Sequence, residues 1–140
     1  MLCLHRRAYL ELVAHALAGL PDEACGLLVG PPPEDPSAVD ATVTLFEPCV
    51  NEAASSRIYR IGGRDLLRVE RAADDTGRRI VGVMHSHTHT EPYPSPTDVE
   101  AAVDPSWHYV IVSLRFDEPR LRSYRMVEGE IIEEPVELID

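Results

Sequence analysis

The stretch RRIVGVMHSH, residues 78 to 87, constrains this chain more than any other. Its apolar body IVGVM is short and nearly continuous, which is the signature of a strand of the buried type. A helical pattern precedes it and a shorter one follows, so the strand belongs in a sheet that helices cover. The histidines at its end are then launched from a stiff platform, which a site that must hold its geometry needs.

The remaining segments fit around that strand. From Arg7 to Leu20, the residues Tyr9, Val13, Ala16, Leu17 and Leu20 recur at helical spacing, and Gly19 and Pro21 mark the end. EACGLLVG (23–30) reads as a strand that stops at the loop PPPEDPS. ATVTLFEPCV (41–50), interrupted by Pro48, and SRIYRIG (56–62) read as further strands. GRDLLRVERAADDTG (63–77) is a second helix, with Leu66, Val69 and Ala73 on one face and Arg64, Arg68 and Arg71 on the opposite one. SPTDVEAAV (95–103) is a short helix, and WHYVIVSL, RLRSYRMV and EIIEEPVELI are three more strands. The expectation is a single α/β domain over residues 1–140, with helices packed on a mixed sheet. A chain of this size buries about 70% of the surface its unfolded form exposes, so a metal would serve function rather than hold the fold.

Composition narrows the function. A net charge of −11 argues against a nucleic-acid partner, whose phosphates require a cationic surface. No apolar run approaches the roughly 18 residues of a membrane span. Arg6, Arg7, Glu11 and His15 interrupt the N-terminal stretch, so no signal peptide is expected and the chain reads as cytoplasmic. Cys3, Cys25 and Cys49 are odd in number and widely spaced, which suggests neither a disulfide framework nor a cysteine zinc site. Residues 57 to 79 depart from the acidic average, with seven arginines against four acids.

The chemistry concentrates in MHSHTHTEPYPSPTDVE, residues 84 to 100. In an extended strand His85 and His87 share a face, separated by roughly 6.6 Å of rise. Imidazoles so placed can lean together on one ion, at about 2.0–2.1 Å each. His89 continues the alternation as an alternative fourth ligand or second-ion site, although a fourth protein ligand would close the position catalysis needs open. SPTD reads as a helix start, with Ser95 as N-cap, Pro96 in the first turn and Asp98 three residues on. Capping and chemistry are compatible, since a helix start that fixes a serine and a carboxylate can present both to a metal.

The spacing of His85, His87, Ser95 and Asp98, with Glu23 upstream in DEACGLL, resembles the JAMM motif of the MPN+ zinc metalloprotease family. PCVNEAASSRIYRI and the second helix extend the resemblance from about residue 5 to beyond residue 125. It implies a single MPN/JAMM domain with a mixed, mostly antiparallel curved sheet, cytidine-deaminase-like in outline. It further implies one zinc ion on His85, His87 and Asp98, with Glu23 as general base and Ser95 as donor to the oxyanion. Thr88 stands where many members carry proline, and long insertions are absent. HSHTHTEPYPS is similar to the bacterial branch that acts on small ubiquitin-like sulfur carrier proteins, and the missing insertions are those with which eukaryotic relatives hold a polyubiquitin chain.

The implied partner is therefore a small ubiquitin-like sulfur carrier ending in Gly-Gly, cut after its last glycine to release cysteine. A lysine isopeptidase, a tail-trimming protease and a non-catalytic scaffold are the alternatives; inactive relatives typically lose ligands, and none is missing here. Asn51 is read equally as groove-lining or turn-forming. Cys25, two residues from Glu23 on the same strand face, is read as a buried structural thiol with reach to the site as the alternative, and His5, His15 and His108 as ordinary surface or part-buried histidines.

Overall fold

A computed structural model describes residues 1–102 and 104–140. Strands β1 (Leu2–His5), β2 (Cys25–Gly30), β3 (Ala41–Val43), β4 (Leu45–Cys49), β5 (Arg79–His87), β6 (His108–Ser113), β7 (Arg120–Val127), β8 (Glu130–Glu134) and β9 (Val136–Ile139) alternate with helices α1 (Arg6–Ala18), α2 (Gly63–Asp75) and α3 (Pro96–Ala101). Six strands form one sheet in the order β4-β2-β5-β6-β7-β8. Only the β5–β6 pairing in it is parallel. The fold is thus the mixed, mostly antiparallel α/β arrangement that the family resemblance implies.

β5 runs through the middle of this sheet, and its last seven residues are all buried, as its apolar body requires. Within it Gly82 faces the backbone of His108 so closely that any side chain would strike the carbonyl. One face of the sheet packs against α1 through Leu28, Met84, Val110 and Val112 with Ala8, Leu12 and Ala16. The other face packs Leu27, Val83 and Tyr109 against Val69 and Ala73 of α2.

Several boundaries differ from expectation. β1 and a small parallel sheet, β3-β1-β9, went unread because four-residue strands carry too little pattern to register. The C-terminal run is two strands in different sheets, split at Pro135. The 41–50 strand is likewise two, β3 and β4, and Pro48 is accommodated because β4 is an edge strand. The buried stripe of α1 is Ala8, Leu12 and Ala16, whereas Leu17 and Leu20 are exposed. On α2, Val69 and Ala73 are buried, while Leu66 stays exposed at the edge of a groove. SRIYRIG forms no strand; a single bridge, Asn51 to Ile61, closes it into a loop. Val103, the last residue of the short helix expected over 95–103, lies outside the described residues.

Candidate metal centre

The register of β2 on β5 brings Glu23 to the histidines. Cys25 pairs with His85 in antiparallel register, and Ser86 N donates to Ala24 O at 2.9 Å, so the strand entry carries Glu23 toward His87. Ser86 points away from the histidines, and its hydroxyl accepts from Ala24 N at 2.8 Å, locking the two chains together. Glu23, His85, His87 and Asp98 are all buried, with exposures of 4%, 1%, 4% and 6%.

Asp98 arrives from α3. Ser95 caps this helix in a full capping box: its hydroxyl accepts from Asp98 N at 3.1 Å, and its own N–H donates to Asp98 Oδ2 at 2.9 Å. The loop between β5 and α3 is anchored on the neighbouring strands, since Ser113 Oγ donates to Thr90 O and Tyr124 Oη donates to Pro92 O.

The three donor atoms converge. His85 Nε2, His87 Nε2 and Asp98 Oδ2 lie 3.1 Å from one another along every edge. Two imidazole lone pairs and a carboxylate oxygen so disposed cannot all satisfy one another by hydrogen bonding. A tetrahedral ion with bonds of about 2.0–2.1 Å spaces its ligands about 3.3 Å apart, close to the spacing found. The trio is therefore able to hold a metal ion.

Electrostatics treat the three donors differently. Burial opposes charge on Asp98, but the two imidazole nitrogens beside it and the Ser95 N–H outweigh it, and the carboxyl sits well below its usual range. Burial pushes the His85 imidazole down despite Asp98, which leaves it neutral with a lone pair to give. Burial also works against charge on His87, yet Asp98 and the Glu91 carbonyl hold it above the ordinary value. The contact of His87 Nδ1 with Glu91 O, 2.8 Å, keeps a ring proton on Nδ1, so that Nε2, which faces the cluster, is the nitrogen freed to bind a metal when the ring is neutral. Glu23 differs from Asp98. Burial raises its carboxyl to about 7, His87 draws it partly back, Asp98 adds to the rise, and its Oε1 has no hydrogen-bond partner among the described residues.

The other residues singled out from sequence fall as follows. His89 is exposed and stands outside the cluster. Cys25 is fully buried in the core, and burial pushes its thiol up to about 12. Asn51 forms a turn, donating to Glu23 O and Ile58 O while accepting from Ala53 N and Arg60 N. His108 is a correction: it is buried, its Nδ1 2.6 Å from Glu134 Oε2, because β6 and β8 flank β7 and turn the two side chains to the same face of the sheet. Two contributors went unread. The Glu91 carbonyl has no side-chain signal, and Tyr59, which stacks on His85, was absorbed into an expected strand.

A sheet of this topology whose buried central strand ends in two histidines facing a helix-capping aspartate defines the JAMM class. Residues 5–127 match the model for prokaryotic homologs of the JAB domain, and the chain belongs to that family. It is 44% identical over 131 residues to the CysO-cysteine peptidase of Mycobacterium tuberculosis, covering 92% of this chain and 85% of that protein. The desampylase of Haloferax volcanii is 36% identical over 108 residues, 74% of this chain and 73% of that one. Among solved structures, protein DSY2949 of Desulfitobacterium hafniense superposes with a TM-score of 0.90 at 32% identity, covering 100% of this chain and 94% of its own. A structure described as a JAMM metalloprotease-like zinc site in the proteasome and signalosome shares the fold at a TM-score of 0.60 and 16% identity, covering 100% and 99%.

Proposed function

We propose that this chain is a zinc-dependent peptidase that hydrolyses the amide bond after the C-terminal glycine of a ubiquitin-like sulfur carrier, releasing cysteine. The observation that carries the reading is the 3.1 Å triangle of His85, His87 and Asp98 beside an unpartnered buried glutamate. The 44% identity to a CysO-cysteine peptidase supplies the substrate class. Zinc bound there would acidify a water molecule and polarise the scissile carbonyl.

The chain's own residues do the rest. Glu23, placed near His87 and raised to about 7, accepts a proton from the attacking water and returns it to the leaving amine. The Ser95 oxygen already accepts from Asp98 N, so its hydroxyl hydrogen remains free to donate to the oxyanion that develops on the substrate carbonyl. His87 is held in one tautomer by Glu91 O, and Asp98 in one rotamer by Ser95 N–H, so neither reorganises during the reaction.

A second reading, cleavage of lysine isopeptide conjugates of a similar modifier, is favoured by the desampylase relative. One experiment separates them. A carrier-cysteine adduct and a carrier-lysine conjugate are incubated side by side with the enzyme, with and without chelator, and followed by mass spectrometry. Faster, chelator-sensitive release of cysteine is expected. Faster isopeptide cleavage would select the second reading, and no metal-dependent cleavage of either substrate would leave a non-catalytic scaffold.

A further inference from the structure

The two histidines of the triangle are oriented by different means. His87 has the usual arrangement for a metal-ligating imidazole, with its far nitrogen hydrogen-bonded to a backbone carbonyl. His85 does not: its Nδ1 is buried and has no hydrogen-bond partner among the described residues. Yet Nε2 must keep pointing at Asp98 and His87 for the triangle to exist. What lies against the ring is Tyr59, with centroids 4.3 Å apart and planes inclined by 17°. That is an offset stack between π faces, which fixes the plane of a ring without a hydrogen bond.

Tyr59 is itself held by a loop built to present it. The segment from Asn51 to Ile61 is closed by the Asn51–Ile61 bridge and by Glu52 N donating to Arg60 O at 2.9 Å. Asn51 satisfies its whole side-chain amide inside the loop and on Glu23 O. Glu23 N in turn donates to Ser55 O at 2.8 Å. Thr88, next to His87, donates its hydroxyl to Ser56 O at 3.1 Å. Ala54 takes a left-handed conformation, φ 46°, to make the turn between them. The loop thus grips the strand of Glu23 and the end of β5 while laying an aromatic ring on the histidine whose far nitrogen, Nδ1, has no hydrogen-bond partner among the described residues.

We infer that Tyr59 is a positioning residue that holds His85 in its ligating orientation by stacking, in place of the hydrogen bond that does this for His87. The inference rests on the reading of His85 as a metal ligand. Because stacking needs the ring and not the hydroxyl, phenylalanine should replace tyrosine and an aliphatic side chain should not.

The test measures zinc affinity by competition with a chromophoric chelator, independently of any activity, for wild type, Tyr59→Phe, Tyr59→Leu, Ile61→Ala and His85→Ala. Ile61 packs in the same loop and pairs with Asn51. Its truncation therefore reports what general loosening of the loop does. Tyr59→Phe should bind within about threefold of wild type, and Tyr59→Leu should weaken about 10-fold or more, the scale of losing a partner that orients a ligand. Ile61→Ala should lose clearly less than Tyr59→Leu. Equal affinity of Tyr59→Leu and wild type overturns the inference while leaving the metal site intact, and so does an equal loss in Ile61→Ala. Absence of zinc from wild type, or full retention in His85→Ala, overturns the metal reading and this inference with it. If Tyr59→Leu does not fold, Tyr59→Met and Tyr59→Trp make the same comparison, the thioether losing affinity and the indole keeping it.

Discussion

Asp98 and Ser95 hold each other twice, backbone to side chain in both directions, and one of the two atoms involved also faces the histidines. Oδ2 of Asp98 accepts the Ser95 N–H at 2.9 Å and lies 3.1 Å from both Nε2 atoms. The helix cap and the candidate metal site are therefore one structure. A carboxylate with so many partners cannot swing away, which keeps the triangle formed before any ion arrives.

This coupling makes Ser95→Ala a revealing variant. It removes the hydroxyl that caps Asp98 N, at a cost of about 1 kcal/mol in stability. It keeps the Ser95 N–H on Oδ2, so zinc content should stay near wild type. If the hydroxyl also serves the oxyanion, turnover should fall about 100-fold or more, far beyond what a lost cap explains in a protein that remains folded. Thermal melts, elemental analysis and turnover on one preparation check the three parts. A turnover loss below about fivefold would leave Ser95 with its capping role alone.

Glu23 carries a pH dependence whose sign follows from its burial. Its folded carboxyl titrates at about 7, above the unfolded value near 4.3, so the folded state prefers the neutral form. The resulting stability is complete below the unfolded pKa and is lost as pH rises through the folded one. Metal-free protein should accordingly melt lower at pH 8 than at pH 5, by up to about 3 kcal/mol in stability. Glu23→Gln should flatten that decline and retain zinc, while losing about 100-fold or more in turnover. A pH series of thermal melts on both chelated proteins is the measurement. Circular dichroism should show both folded, since the two core clusters do not depend on an ion.

The unforeseen pair His108 and Glu134 predicts an opposite limb. Burial works against the Glu134 charge, but His108 at 2.6 Å and Ser123 Oγ at 2.7 Å outweigh it and hold the carboxyl below its ordinary value. A lowered carboxyl contributes stability that is present above the unfolded pKa and is lost as pH falls through the folded one. Removing His108 leaves Glu134 with the Ser123 hydroxyl and the N-terminal ammonium alone, so His108→Ala should cost about 2 kcal/mol at pH 7. The loss should shrink as pH falls below the unfolded carboxyl value and on through the lowered folded value of Glu134. Denaturant melts at pH 7 and pH 3.5 decide it, and an equal loss at both values would point to packing alone.

The sequence was most informative where one residue type does one thing at fixed spacing. His85, His87, Ser95 and Asp98 could be placed because a period-two strand and a capping box each dictate where side chains go. The central strand was legible for the same reason, its apolar body leaving few alternatives. Contributions through backbone or across long loops were not. His108 pairs with Glu134 across 26 residues, and neither carries a local pattern that names the other. Tyr59 looked like one strand aromatic among several, since alternation in SRIYRIG is equally compatible with a loop folded over a site. The division of EIIEEPVELI between two sheets depends on tertiary pairing of β9 with β1, which Pro135 permits and does not announce.

The arginine stripe on α2 gives a last prediction, now resolved residue by residue. Arg68 is not free: it bonds Glu47 at 3.3 Å, Asp65 at 3.4 Å and Pro48 O at 3.1 Å, tying the helix to the edge strand β4. Arg64 and Arg71 are exposed on the same helix. If the partner is an acidic ubiquitin-like body, these two should accelerate encounter, because exposed charges act on association rate and its salt dependence more than on the chemical step. Arg64→Glu with Arg71→Glu should therefore raise KM and flatten its dependence on ionic strength, while kcat stays within about twofold. Arg68→Glu should instead lower thermal stability, since it places a third acid beside Glu47 and Asp65. Initial rates against salt concentration for the double variant and for Arg68→Glu test both halves. An unchanged KM in the double variant would mean that Arg64 and Arg71 are merely solvated.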